Sequence, residues 1–167
     1  MAGREGWSVI DGISLVKDYM RSPAVTISSE AGLDRALMIM RTQRIRHLPV
    51  VDDNGVMIGL ISDRDLRLSM LEVEQGPGGA PTGYYLPALT KVTAVMVTNV
   101  LTASPDMPLA NAATIMSERK FGCLPVIDQV SKKPIGIITE TDMLRLLSAL
   151  LKRKALNHTT IVEKSSI

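Results

Sequence analysis

The stretch that decides the fold is Leu48-Pro49-Val50-Val51-Asp52, followed by Ile58-Gly59-Leu60-Ile61-Ser62-Asp63-Arg64-Asp65. Both pieces return in the same order, as Leu124-Pro125-Val126-Ile127-Asp128 and Ile135-Gly136-Ile137-Ile138-Thr139-Glu140-Thr141-Asp142. The first recurs 76 residues on and the second 77, so the second copy has one more residue in the turn between them. Working outward, the spacing of 76 carries Leu33, Ala36 and Met40 onto Leu109, Ala112 and Met116. It carries Thr26 onto Thr102, and Val16 and Met20 onto Val92 and Met96. The chain is two copies of one unit of about 55–60 residues, the scale of a supersecondary unit that must pair to bury a core.

Each copy reads alike. A short apolar strand, Ala24 to Ile27 in the first copy, precedes a helix. There Leu33, Ala36, Leu37 and Met40 recur at i, i+3, i+4 and i+7, one apolar stripe. Two strands follow, His47 to Val51 and Val56 to Ile61, around Asp52-Asp53-Asn54-Gly55, where Asn-Gly is a hairpin signal. Cys123 to Ile127 and Pro134 to Ile138 repeat the pair. A second helix starts at Ser62 or Thr139. Each unit is β-α-β-β-α, and the fold class is α/β (α+β) with small sheets. The predicted organisation is a leading segment at 1–15, a repeat at 16–74, a linker at 75–90, a repeat at 91–151 and a tail at 152–167. Gly76-Pro77-Gly78-Gly79-Ala80-Pro81-Thr82-Gly83 predicts a mobile linker. Tyr84 and Tyr85 are expected to pack on their own module. The tail from Ala155 lacks periodicity and is expected to be disordered.

Composition bounds the function. Of 167 residues, 46% are hydrophobic and 22% charged, an ordinary balance for a soluble globular chain. Aromatics are 3% against ten methionines, so the core is aliphatic and offers few flat faces for stacking bases. The net charge of +2 and a single tight basic run, Lys152-Arg153-Lys154, argue against a nucleic-acid-binding face. One cysteine, Cys123, and two histidines, His47 and His158, exclude an intrachain disulfide and leave no classical zinc site. No window approaches about 18 apolar residues and the N-terminus lacks a signal-peptide core, so no membrane is expected and the expected location is cytoplasmic.

The motif G-h-h-[ST]-x-x-D, with h apolar, is carried by Gly59 to Asp65 and by Gly136 to Asp142. The strand h-x-x-L-P-V-h-D is carried by Ile45 to Asp52 and by Phe121 to Asp128. Over about Val16 to Leu147 the chain resembles the cystathionine-β-synthase (CBS) domain pair. That resemblance implies two repeats packed sheet to sheet about a pseudo-twofold axis, with two clefts between them. It implies an adenosine ligand there (AMP, ADP, ATP or S-adenosylmethionine), no required cofactor, a homodimer, and a partner protein whose identity is open.

The candidate site residues follow. Ser62 and Thr139 stand at helix starts, where a hydroxyl caps an exposed backbone N–H. Asp65 and Asp142, three residues on, complete a capping box or, as the resemblance implies, accept the two hydroxyls of a ribose. Glu or Gln is the usual capping-box partner, so Asp in both copies favours the ribose slightly. Arg44, Arg46, His47, Arg64 and Lys120 are the phosphate candidates, against the alternative of solvated strand ends. The first copy holds most of this charge, so its cleft is expected to take a phosphorylated ligand and the other an uncharged adenosyl group or nothing. Thr26, Ile27, Val50, Leu60, Thr102, Pro125, Val126 and Ile137 are base- or ribose-pocket candidates that read equally well as core. No catalytic residues are assigned: no nucleophile–base pattern, P-loop or metal cluster is present, and Cys123 reads as a buried, inert thiol. The expected function is a regulatory sensor, not an enzyme; the alternative is a ligand-independent dimerisation or docking scaffold.

Overall fold

The computed structural model describes residues 14–74, 81–87 and 89–164, with the side chains of 71–85 and 156–164 outside that description. The two copies form two matching halves. In the first, β1 (Ile27–Ser28) runs parallel to β2 (His47–Val51), and β2 pairs antiparallel with β3 (Met57–Ser62). The helix α2 (Leu33–Gln43) lies between β1 and β2 in sequence and buries Leu33, Ala36 and Met40, three residues of the apolar stripe. A short helix α3 (Asp63–Leu68) follows β3. The β2–β3 turn is held by Asp52, whose carboxylate accepts from the N–H groups of Asn54 and Val56. Gly55 takes φ +77° there, which a side chain would strain.

The second half repeats this with α4 (Leu109–Arg119), β6 (Cys123–Ile127), β7 (Pro134–Thr139) and α5 (Glu140–Lys164). The pairings are equivalent: Leu48 lies opposite Ile61 and Leu124 opposite Ile138. The extra residue sits in the β6–β7 turn, where Asp128 accepts from the N–H groups of Val130 and Ser131.

The halves exchange their leading segments. The helix α1 (Val16–Tyr19) precedes the first copy, yet Val16 and Tyr19 are buried with Leu109, Met116, Leu124 and Ile138 of the second. Val92, from the 3-10 turn Val92–Ala94 before the second copy, is buried with Leu33, Leu48 and Ile61 of the first. Backbone bonds secure both crossings: Val16 N–H to Met107 O and Val92 N–H to Ala31 O, each 2.9 Å. Arg21 then pairs with Ile137 on β7, and Val97 with Leu60 on β3. These crossings explain the repeated glycine of the motif. A Cβ on Gly59 would lie 3.0 Å from Val97 O and one on Gly136 3.0 Å from Arg21 O, with Met96 and Met20 closer still. Each half completes the other's core, so neither repeat is an independent folding unit as cut from the sequence.

Three expectations differ from the structure. Strand Ala24–Ile27 shrinks to Ile27–Ser28, and its second-copy counterpart is a single parallel bridge, Ala103 to Val126. The segment read as a linker at 75–90 includes β5 (Pro81–Tyr85), which pairs antiparallel with β4 (Leu71–Glu74) in a hairpin. Residues 75–80 and 88, and the packing of Tyr84 and Tyr85, lie outside the described part, as does most of the leading segment at 1–15. The tail read as disordered from Ala155 continues α5 to Lys164. Its backbone satisfies its own hydrogen bonds without a repeating apolar pattern.

Candidate functional site

The strand-to-helix junctions place one carboxylate in each half. At the start of α3, Asp65 N–H donates to Ser62 Oγ at 3.3 Å. The Asp65 Oδ2 accepts from Ser62 N–H at 2.8 Å and from Ser62 Oγ–H at 2.6 Å. At the start of α5, Asp142 N–H donates to Thr139 Oγ1 at 3.3 Å. The Asp142 Oδ2 accepts from Thr139 N–H at 3.1 Å and from Thr139 Oγ1–H at 2.5 Å. The capping box therefore forms with Asp in the place usually taken by Glu or Gln. It consumes one oxygen of each carboxylate and leaves the other outside the box.

The two remaining oxygens meet different surroundings. Among the described residues no side chain or N–H bonds Asp65 Oδ1. Asp65 lines a cleft of about 300 Å³ together with His47, Leu60, Ser62, Arg64, Val97 and Lys120. That volume stands at the lower end of the range for small-molecule sites. Asp142 is 4% exposed, and its Oδ1 accepts from Arg21 Nε at 3.2 Å and Arg145 Nη1 at 3.4 Å. The matching cleft, lined by Arg21, Arg44, Arg46, His47, Ile137, Thr139 and Thr141, holds about 90 Å³, and Asp142 is not on its wall. The repeat spacing explains the contrast. Arg21 corresponds to Val97 and Arg145 to Leu68, so both arginines that occupy Asp142 have apolar counterparts in the first repeat.

Each cleft is built across the halves. The helix start of one repeat faces the loop before the Leu-Pro-Val strand of the other: Ser62 and Asp65 face Lys120 and Phe121, and Thr139 faces Arg44 and Arg46. This corrects the grouping by copy, in which Arg44, Arg46 and Arg64 shared a cleft. Arg44 and Arg46 line the Asp142 cleft, while Arg64 and Lys120 line the Asp65 cleft. Arg44 and Lys120 are also the C-caps of α2 and α4, at φ +53° and +56°. Non-glycine residues in this region carry backbone strain, and here each is a cation that lines a cleft.

Of the pocket candidates, Leu60 lines the Asp65 cleft and Ile137 the Asp142 cleft. Ile27, Val50, Pro125 and Val126 do not: they are buried in the two halves. Thr26 and Thr102 are half-buried and line neither cleft. Sequence reading missed Arg21, Pro23 and Val25, and their counterparts Val97, Asn99 and Leu101. The spacing of 76 relates these residues, but only the crossing of the leading segments brings them to the clefts. Cys123 is buried, and burial pushes its thiol up to about 12, so it is protonated at neutral pH and a poor nucleophile. Burial and the neighbouring Arg46 hold His47 below the usual histidine range, outweighing Asp63, Glu140 and Asp65.

The CBS domain model matches residues 16–72 and 92–149, and so spans both copies. The chain belongs to the CBS domain family. It is 36% identical over 138 residues to a CBS domain-containing protein of Dictyostelium discoideum, across 83% of this chain and 94% of that relative. Enzymes among the curated relatives match over 23% or 24% of their own length, so the shared part is a portion of each. A CBS domain pair solved with 5′-methylthioadenosine and S-adenosyl-L-methionine is 29% identical, with a TM-score of 0.68, across 83% of this chain and 98% of that one. The CBS protein CBSX2, solved with AMP, is 26% identical, with a TM-score of 0.64, across 81% of this chain and 97% of that one. The CBS pair is a regulatory domain family, and these two solved structures carry adenosyl ligands. Among the described residues, no helix is long and apolar enough to cross a membrane, and no cluster of His, Cys, Asp and Glu is placed to hold a metal.

Proposed function

We propose that the protein is an adenosyl-ligand sensor and that its working site is the Asp65 cleft. The observation that carries this reading is the free oxygen of Asp65. The capping box fixes the carboxylate and leaves Oδ1 unbonded among the described residues, and Asp65 lines the larger cleft. A fixed anion at this position accepts from both hydroxyls of a ribose. Leu60 and Val97 supply an apolar wall for the base, and Arg64 and Lys120 supply cations for phosphates. AMP, ADP, ATP and S-adenosylmethionine are the candidates.

A ligand seated there touches α3 of the first half and the Lys120–Cys123 loop of the second. It therefore binds best to one arrangement of the halves and shifts their population toward it. The changed surface is read by a second copy of the chain, as a homodimer, or by a partner protein. The module works in the cytoplasm and catalyses no reaction.

Thermal-shift titration against AMP, ADP, ATP, S-adenosylmethionine and GTP tests the proposal. A ligand at about 100 times its Kd adds about 2.7 kcal/mol, a rise of about 5–10 °C at this size. Asp65→Ala is expected to weaken adenosyl binding by about 100-fold or more, because two charge-assisted hydrogen bonds are lost. A flat response to the whole panel at millimolar concentration returns the protein to the scaffold reading.

A further inference from the structure

The two clefts share one side chain. His47 lies at the start of β2, opposite Ser62, and lines both the Asp65 cleft and the Asp142 cleft. Its ring is wedged against the other half: a Cβ on Gly122 would lie 3.2 Å from His47 Nε2 and 3.3 Å from its Cε1. Any side chain at 122 would press on the imidazole, which would have to give by a few tenths of an ångström at this seam. The arrangement is not symmetric, because the counterpart of His47 is Cys123, a smaller group that is buried and lines the Asp65 cleft alone.

We infer that His47 makes the occupancies of the two clefts interdependent, so that an anionic ligand in one strengthens the binding of an anionic ligand in the other. This rests on the reading of the Asp65 cleft as an adenosyl site. The ring is faced by Arg46 from its own segment, Asp63 and Asp65 from α3, and Glu140 from α5. Arg21 and Arg44 share the Asp142 cleft with it, and Arg64 and Lys120 share the Asp65 cleft. Burial keeps the imidazole neutral at neutral pH. A phosphate arriving in either cleft adds negative charge to this balance and favours the imidazolium. The proton taken up with the first ligand is then in place for the second, which meets a cation where the first met a neutral ring. The coupling is mutual.

The experiment is an AMP titration of the full chain followed by the His47 ring resonances, assigned against His47→Gln; His158 is the one other histidine. Isothermal calorimetry is run in parallel. Two binding steps are expected in the native protein, both moving the His47 signal and the first with net proton uptake. In Asp65→Ala the weaker step remains, still moves the signal, and loses at least about fivefold in affinity, the low end of ordinary coupling. Asp65→Asn, which keeps an acceptor for the cap, replaces it should the alanine variant fail to fold. In His47→Gln both steps persist, proton uptake disappears, and the second step no longer depends on residue 65. A His47 signal that follows one step alone, a single site per chain, or a second step of equal strength with and without Asp65 overturns the inference while leaving the adenosyl site standing. Absence of any saturable binding of AMP, ATP or S-adenosylmethionine defeats the site itself.

Discussion

The two clefts descend from the same motif and differ in what their carboxylates are doing. Asp65 and Asp142 share a capping geometry to within a few tenths of an ångström. Asp65 keeps one oxygen for a ligand, whereas Asp142 spends both inside the protein, on Thr139 and on the guanidinium groups of Arg21 and Arg145. On the proposed reading the same side chain is a binding group in one half, and it is a structural tie in the other. What separates the roles is what the fold lays beside each: Val97 at one site, Arg21 and Arg145 at the other. A motif thus marks where a carboxylate sits without stating whether it is available.

The comparison can be broken first through stability. Asp142→Ala removes the reciprocal half of a capping box together with hydrogen bonds to two arginines, and should cost about 2 kcal/mol. Asp65→Ala removes the reciprocal half alone and keeps the Ser62 cap, at about 1 kcal/mol. Chemical denaturation with unchanged m-values should show this difference, and thermal melts should place the Asp142 variant about 2–4 °C below the other. Equal losses would mean that the Arg21 tie, whose guanidinium partner is 37% exposed, contributes nothing.

The next test converts one cleft toward the other. Arg21→Val installs the counterpart residue Val97 in the second cleft, frees much of Asp142 Oδ1 and widens the space above it. Affinity for AMP or S-adenosylmethionine in that cleft should rise about tenfold, the value of one charge-assisted hydrogen bond restored to the ligand. Calorimetry that finds the second cleft unchanged would separate the asymmetry from Arg21.

The smallest effect is the pH dependence of the free protein. His47 is held below its unfolded value, so the unfolded state binds more protons between the two. Its contribution to stability is complete above about pH 6.5, the unfolded histidine value, and is lost as pH falls through the window below. His47→Gln should flatten the native profile in that window, measured by urea midpoints in steps of pH; an identical slope in both proteins would show that His47 does not titrate on unfolding.

Much of this molecule was legible in its amino-acid order. The repeat, the apolar stripes of α2 and α4, the two hairpins and the capped helix starts at Ser62 and Thr139 all arise from neighbours within a few residues, where spacing translates directly into geometry. The motif glycines were visible too, though their reason was not, because the atoms that exclude a Cβ at Gly59 and Gly136 belong to the crossing segments. The hairpin through Pro81–Tyr85 and the extension of α5 escaped composition-based reading, since backbone pairing needs no apolar pattern. Tertiary structure alone decided that Val16 and Val92 serve the opposite cores, that each cleft joins the helix start of one repeat to the loop of the other, and that Asp142 Oδ1 is bonded by two arginines while Asp65 Oδ1, among the described residues, is not. Arg21 and Asp142 stand 121 residues apart. Their meeting depends on where a whole leading segment packs, and the hydrophobic burial that drives that packing is non-directional and leaves no local spacing to be read.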